Sequence, residues 1–222
     1  MRLAFIAADD VSFSYDGRNP VISGLDMEIA ARGFTAFMGP NGSGKTTIGK
    51  LMMGILKPVS GSVLIDGDDT RQLSLGQVGS KIGYLYQNPQ FQIFSQTVTD
   101  ELTFIPRLKG ADEDDLMQEA ERLIRLLHLE DKKDIPTFNL SYGEKQRLAI
   151  AGILACSPCY LILDEPTTGL DIVRKQMLIS ILKELLGGGI GMTVITHDRG
   201  FIKNFSGRLL KIEEGRIFEE SI

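Results

Sequence analysis

No stretch of this chain is long and apolar enough to cross a bilayer, because a spanning helix needs about 20 consecutive apolar residues. The N-terminal run Leu3 to Ala8 is stopped by Asp9 and Asp10, short of the apolar core of a secretory signal. The protein is therefore expected in the cytosol or on the cytosolic face of a membrane. Cysteine is scarce: Cys156 and Cys159 are the whole complement, which excludes a disulfide scaffold and fits a reducing compartment. They form a C-x-x-C, but zinc would need a second pair and a redox couple a helix N-terminus. The segment reads as packing around Pro158. Basic residues do not dominate either, with 24 Lys and Arg against 29 Asp and Glu for a formal net charge of −5. That balance argues against a protein held mainly by nucleic-acid phosphates or anionic lipid. Repeats, low-complexity tracts and linkers are absent.

What is present is the composition of one globular domain: 222 residues, 43% apolar and 24% charged, enough to bury a core without staples. The first 90 residues read as strands and turns around one helix. Val11 to Tyr15 alternates at period two before Asp16-Gly17, Leu25 to Ile29 alternates again, and Phe34 to Met38 is a short apolar run. Ser62 to Ile65 runs into the turn Asp66-Gly67, and Ile82 to Tyr86 is a further strand. The middle is helical: Leu116, Ala120, Leu123, Ile124 and Leu127 share one face between Asp112 and Leu129, with an acidic first turn suited to the helix dipole. His128, late in this helix, matches no motif and reads as a boundary residue. A second helix starts near Ser141 and runs to about Ala155. The last third alternates a buried strand at Tyr160 to Leu163, a helix from Ile172 to Leu186 and a strand at Met192 to Thr196. This is an α/β fold with a parallel-sheet core, an early antiparallel portion and a helical insertion.

Gly39-Pro40-Asn41-Gly42-Ser43-Gly44-Lys45-Thr46 fits G-x-x-x-x-G-K-[ST], after a strand and before a helix as that motif requires. Its glycines turn successive N–H groups inward and the following helix end adds partial positive charge. Lys45 is suited to the β- and γ-phosphates and the Thr46 hydroxyl to Mg²⁺. The strand Tyr160 to Leu163 delivers Asp164 and Glu165 at its end. Beside a P-loop, Asp164 would hold Mg²⁺ and Glu165 would activate the attacking water.

Together with three further segments, these residues resemble the ATPase subunits of ABC transporters over almost the whole chain. Leu140-Ser141-Tyr142-Gly143-Glu144-Lys145-Gln146-Arg147 resembles the signature segment, Asp164 to Asp171 the Walker B strand running into the D-loop, and Thr196-His197-Asp198 the switch histidine. The resemblance implies the P-loop NTPase ABC fold, binding of ATP and Mg²⁺, and one domain over residues 1–222 with a helical subdomain at about 88–158. It implies that Gly39, Asn41, Gly42, Ser43, Gly44, Lys45, Thr46 and Thr47 hold phosphates and that Tyr15 stacks on adenine. Thr46, Gln87 and Asp164 would organise the metal, and His197 would sense the γ-phosphate. Ser141 and Gly143 would contact the nucleotide held by a second subunit, making a homodimer or heterodimer of ATPase subunits. Ser141 with Glu144 also forms a capping box. Tyr142 departs from the family's glycine, and a side chain there has room to crowd the nucleotide or the facing P-loop.

The stretch Gln87 to Phe94 followed by Thr97-Val98-Thr99-Asp100-Glu101, and Gly152 in place of an arginine, resembles the energy-coupling-factor importers of vitamins, cobalt and nickel. That resemblance implies a transmembrane coupling protein, a separate membrane substrate-binding protein and a position on the cytoplasmic face of the membrane, without nucleic acid. Phe91, Phe94 and Phe104 suggest a groove for a helix of the membrane partner. The chain is expected to lack a C-terminal extension domain, closing on a hairpin from Leu209 to Phe218. ATPases of exporters or lipoprotein release, and soluble ATPases acting on nucleic acid or ribosomes, are the alternatives.

Overall fold

A computed structural model describes residues 4–221; Leu3, the first residue of the N-terminal apolar run, lies outside them. In chain order the elements begin with β1 (Ile6–Phe13), β2 (Ile22–Ile29), β3 (Phe34–Met38), α1 (Lys45–Met52), β4 (Ser60–Ile65), β5 (Asp68–Asp69), α2 (Leu75–Gly79) and β6 (Ile82–Leu85). They continue with α3 (Val98–Leu108), α4 (Glu113–Leu126), α5 (Tyr142–Leu154), β7 (Tyr160–Asp164), α6 (Ile172–Gly187), β8 (Gly191–Ile195), α7 (Arg199–Ile202), β9 (Gly207–Glu213) and β10 (Arg216–Ser221).

Two sheets result. An antiparallel one has the order β2-β1-β4-β5, and a six-stranded one the order β10-β9-β3-β8-β7-β6. In the second sheet β9, β3, β8, β7 and β6 run parallel and β10 is antiparallel at the edge. The parallel strands are buried on both faces, so they read as unbroken apolar runs. Their side chains still alternate. Ala36, Leu161, Leu163 and Val194 face the helices α4, α5 and α6. Phe37, Ile162 and Ile195 face α1 and the antiparallel sheet.

Four features differ from what the sequence suggested. β1 starts at Ile6, ahead of the expected alternation, and ends before Tyr15. Its register shifts between Ala8 and Val11, where Asp9 and Asp10 are both exposed and Asp10 takes a positive φ of 47°; this bulge hides the period-two pattern. The first 90 residues hold a second helix, α2, opened by a reciprocal cap between Ser74 and Gln77, with Val78 its one buried residue. The segment 98–108 is helical although Pro106 lies inside it. Thr97 caps its start, and the exposed Phe104 and Leu108 blur the apolar stripe. α4 stops at Leu126 rather than Leu129, so His128 lies beyond the helix, in the left-handed region at φ 52°.

Gly191 shows how closely the layers approach. A Cβ there would fall 2.3 Å from the Ala31 carbonyl oxygen and 2.7 Å from the Tyr160 ring. Gly191→Ala is expected to destabilise the fold by about 1–3 kcal/mol through overpacking. At this size that lowers Tm by roughly 2–4 °C per kcal/mol, read by thermal denaturation. An unchanged Tm would show that β8 can move away at little cost.

Candidate active site

Because β3, β6, β7 and β8 are parallel, their C-terminal ends open on one side of the sheet, where ligands of open α/β folds bind. The loop 39–44 leaves β3, Gln87 follows β6, Asp164 ends β7, and His197 follows β8. Register supports this juxtaposition: Asp164 pairs with Ile195, and Ile195 with Phe37. The four segments line a cavity of about 580 Å³.

The loop wraps the first turn of α1. Gly42 and Gly44 take positive φ values of 81° and 98°, and Gly44 stands at the helix N-cap without a side-chain hydrogen bond. The first N–H groups of the helix therefore face the cavity side as free donors. A Cβ on Gly39 would sit 2.1 Å from the Ile212 carbonyl oxygen, so the loop can hug β9 only with glycine there. The Lys45 ammonium donates to the carbonyls of Gly39 and Pro40 at 2.9 and 2.8 Å. Burial holds its pKa below the ordinary lysine value, while Glu165 and Asp164 pull it back up.

Asp164 is 3% exposed. Its Oδ2 accepts from the Thr46 hydroxyl at 2.9 Å and from the Tyr84 hydroxyl at 3.0 Å, and its Oδ1 is buried without a partner. Burial pushes the carboxyl pKa up, and the Thr46 and Tyr84 hydrogen bonds oppose that shift. An orphaned, buried carboxylate oxygen beside a threonine hydroxyl is what a hard divalent cation with oxygen ligands needs, so the residues present fit Mg²⁺. Glu165 takes a positive φ of 49°, a strained conformation for a non-glycine residue. Its N–H donates to the Ile195 carbonyl at 2.8 Å. This bend turns the side chain out of the strand line, and its carboxylate meets His197 Nδ1 at 3.1 Å. Asp198, paired with Lys175 at 2.5 Å, accepts from the Phe201 N–H and so caps α7, holding the turn that carries His197.

Of the residues singled out in the sequence, Tyr15, Asn41, Gly42, Gly44, Lys45, Thr46, Thr47, Gln87, Asp164, Glu165 and His197 line the cavity. Gly39 and Ser43 belong to the loop but do not line the cavity, and the Ser43 hydroxyl is buried and unpartnered. Tyr15 stands outside any strand, exposed, its hydroxyl 3.1 Å from the Thr47 hydroxyl and its ring edge-on to Phe13. Ser141 and Gly143 are not part of this cavity. Their capping box is formed, with the Ser141 N–H donating to Glu144 at 2.7 Å. The Tyr142 hydroxyl donates to the Gln87 carbonyl of its own chain at 2.9 Å.

Val21, Thr168 and Tyr84 are additional. Val21 and Thr168 line the cavity; Val21 belongs to no motif, and Thr168 lies within the segment 164–171 without a role of its own there. Tyr84 reads as one more apolar strand residue until the pairing of β6 with β7 brings its hydroxyl to Asp164. Gln92 is another. Its amide donates to the Tyr84 carbonyl at 2.7 Å and accepts from the Tyr86 N–H at 2.8 Å, clamping the chain just before Gln87.

Residues 22–168 match the family described as ABC transporter, and the chain belongs to it: this is an ABC-type ATPase domain, the ATP-binding subunit of an ABC transporter, which binds ATP with Mg²⁺ and hydrolyses it. It is 37% identical over 213 residues to the energy-coupling factor transporter ATP-binding protein EcfA of Methanothermobacter thermautotrophicus, covering 95% of this chain and 68% of that protein. CbiO1 of Clostridium perfringens, part of the ABC transporter complex CbiONQ, superposes with a TM-score of 0.89 at 31% identity, covering 97% of this chain and 87% of that one. The dimeric ATP-binding cassette MJ0796 in a post-hydrolysis state with ADP and Pi superposes with a TM-score of 0.85 at 28% identity, covering 97% and 98%. The chain also aligns at 37% identity with a provisionally named ABC transporter ATP-binding protein of Caldanaerobacter subterraneus, of which it spans 37% of the length. No helix among the described residues is long and apolar enough to cross a membrane, and ABC ATPases of this kind work with membrane components.

Proposed function

We propose that this chain is the ATPase of an energy-coupling-factor importer, a single ABC domain with a helical subdomain at about 88–158. It would work at the cytoplasmic face of the membrane with a transmembrane coupling protein and a separate membrane substrate-binding protein. The observation that carries this reading is the segment after Gln87. It forms a short 3₁₀ turn, Pro89–Gln92, capped by Asn88. The turn leaves Phe91 83% exposed and Phe94 and Phe104 exposed in edge-on contact. These aromatics adjoin a groove of about 280 Å³ lined by Tyr86, Phe94, Ile105, Ala149, Gly152 and Ile153. A groove that reaches Tyr86, next to Gln87 in the chain, suits a helix from a membrane partner. Gly152 has no side chain to fill it, and the kinship to EcfA and CbiO1 points the same way.

Within the site, the loop 39–44 with Lys45 and Thr47 binds the phosphates, and Tyr15 offers its ring to the adenine. Thr46, Gln87 and Asp164 would hold Mg²⁺, which would supply neutralisation of phosphate charge. Glu165 takes the proton of the attacking water. His197, touching Glu165, is placed to reach the γ-phosphate. Ser141 and Gly143, outside this chain's cavity, present a capped helix N-terminus to the nucleotide of a second subunit. Two chains packed head to tail thereby complete two sites.

The test is affinity purification of the tagged chain from gently solubilised native membranes. Co-purification of a polytopic membrane protein with a small membrane substrate-binder is the expected result. Recovery with a two-domain permease alone, or with soluble partners only, would replace the importer reading while leaving the ATPase in place.

A further inference from the structure

Tyr142 stands between the two residues assigned to the partner's nucleotide, yet its side chain is engaged within its own chain. Its hydroxyl donates to the Gln87 carbonyl at 2.9 Å. Its ring rests on Gly169, where a Cβ would lie 3.4 Å from Cε1 and where φ is +76°. The neighbouring residues of the helix are seated on the same loop and on the start of α6: a Cβ on Gly143 would lie 3.0 Å from Arg174 Cδ, and the Gln146 amide donates to the Pro166 carbonyl. The first turn of α5 thus lies on the segment 165–174, which begins at Glu165. Gln87, in turn, lines this chain's own cavity. Gln92 fixes the backbone at Tyr84 and Tyr86 just before it, so the Tyr142 hydroxyl is a second side-chain hold on the same connection.

From these contacts we propose that Tyr142 is a positioning residue that couples the two nucleotide sites of a pair. Through one hydroxyl it ties the helix end that meets the partner's nucleotide to the Gln87 backbone at its own. The inference rests on the head-to-tail reading given above. The family's glycine at this position can make neither contact, and phenylalanine can rest on Gly169 but cannot hold Gln87. Breaking the hydrogen bond lets α5 and the connection after β6 move independently, so occupancy of one site no longer prepares the other.

The test uses the full chain and Tyr142→Phe, which keeps the ring and its packing, so the fold is retained and Tm is expected to fall by no more than about 2–4 °C. In a Glu165→Gln background, the ATP concentration for half-maximal dimerisation on gel filtration is expected to rise roughly fivefold, the size of a lost neutral hydrogen bond. The affinity of the dilute monomer for a fluorescent ATP analogue stays within about twofold, since no phosphate contact is touched. With Glu165 intact, the Hill coefficient of hydrolysis falls toward 1. A Tyr142→Phe protein with the parent's half-point and Hill coefficient overturns the proposal. So does an equal loss in the monomer's own affinity, because Tyr142 would then act on one site only. If the Glu165→Gln parent forms no ATP-dependent dimer, it is the head-to-tail reading that fails, and the coupling with it.

Discussion

Replacing Glu165 by glutamine is expected to leave ATP binding intact while lowering turnover by about 10²–10⁴-fold, the usual contribution of a positioned base. The amide fills the same volume and can keep its contact with His197, now 3.1 Å from the carboxylate. The backbone bend at φ 49° and its hydrogen bond to Ile195 do not depend on the side chain. What is lost is a group able to take a proton from water. A negative charge facing the γ-phosphate is lost as well, so affinity should not fall. ATP then persists between the subunits and a dimer accumulates that reverts when the nucleotide is removed. Gel filtration with ATP and with ADP, beside a phosphate-release assay, reads both effects. Hydrolysis at the wild-type rate would remove Glu165 from the role of base.

Asp164→Asn should act in opposite directions on the empty and the metal-loaded protein. In EDTA the wild-type carboxylate keeps a buried oxygen, Oδ1, without a partner, a burden that an uncharged amide reduces. The Thr46 and Tyr84 hydroxyls can both donate to the amide oxygen, as they do to Oδ2 now at 2.9 and 3.0 Å. The variant is therefore expected to be more stable in EDTA by about 1 kcal/mol, since a buried charge is removed while the amide nitrogen takes the unpartnered place of Oδ1. At this chain length that is roughly a 2–4 °C rise in Tm. With ATP present, added Mg²⁺ should raise the melting temperature of the wild type only, by mass action on the folded state, and hydrolysis should disappear in the variant. A variant that still gains stability from Mg²⁺ would show that Asp164 does not hold the metal, and one that melts lower than the wild type in EDTA would show that the buried carboxylate does not burden the empty fold.

The difference between what could be read from the sequence and what could not follows from how each residue acts. Lys45, Thr46, Asp164 and Glu165 lie in contiguous motifs whose backbone shape is local: a glycine-rich turn into a helix, or an apolar strand ending in acids. The parallel strands were legible for a similar reason, since burial on both faces leaves an unbroken apolar run. Tyr84 was not, because its hydroxyl reaches Asp164 across a strand pairing that no local pattern announces. Gln92 imitates a backbone partner, and nothing in its neighbours marks that use. α3 was missed because Pro106 interrupts it and its exposed face carries Phe104 and Leu108. Phe104 also belongs to the proposed partner surface, so one of the features that blurred the helix is one assigned to contact.

The clamp made by Gln92 has a further consequence for the chain as a molecule in solution. β6 is the outer strand of the parallel sheet, and an uncovered outer strand offers its backbone groups to any other extended chain. By taking up the Tyr84 carbonyl and the Tyr86 N–H, one side-chain amide occupies a rung that a foreign strand would need. The sheet is thus closed against growth from that side, and a Gln92→Ala chain should show it as a greater tendency to self-associate in the absence of nucleotide.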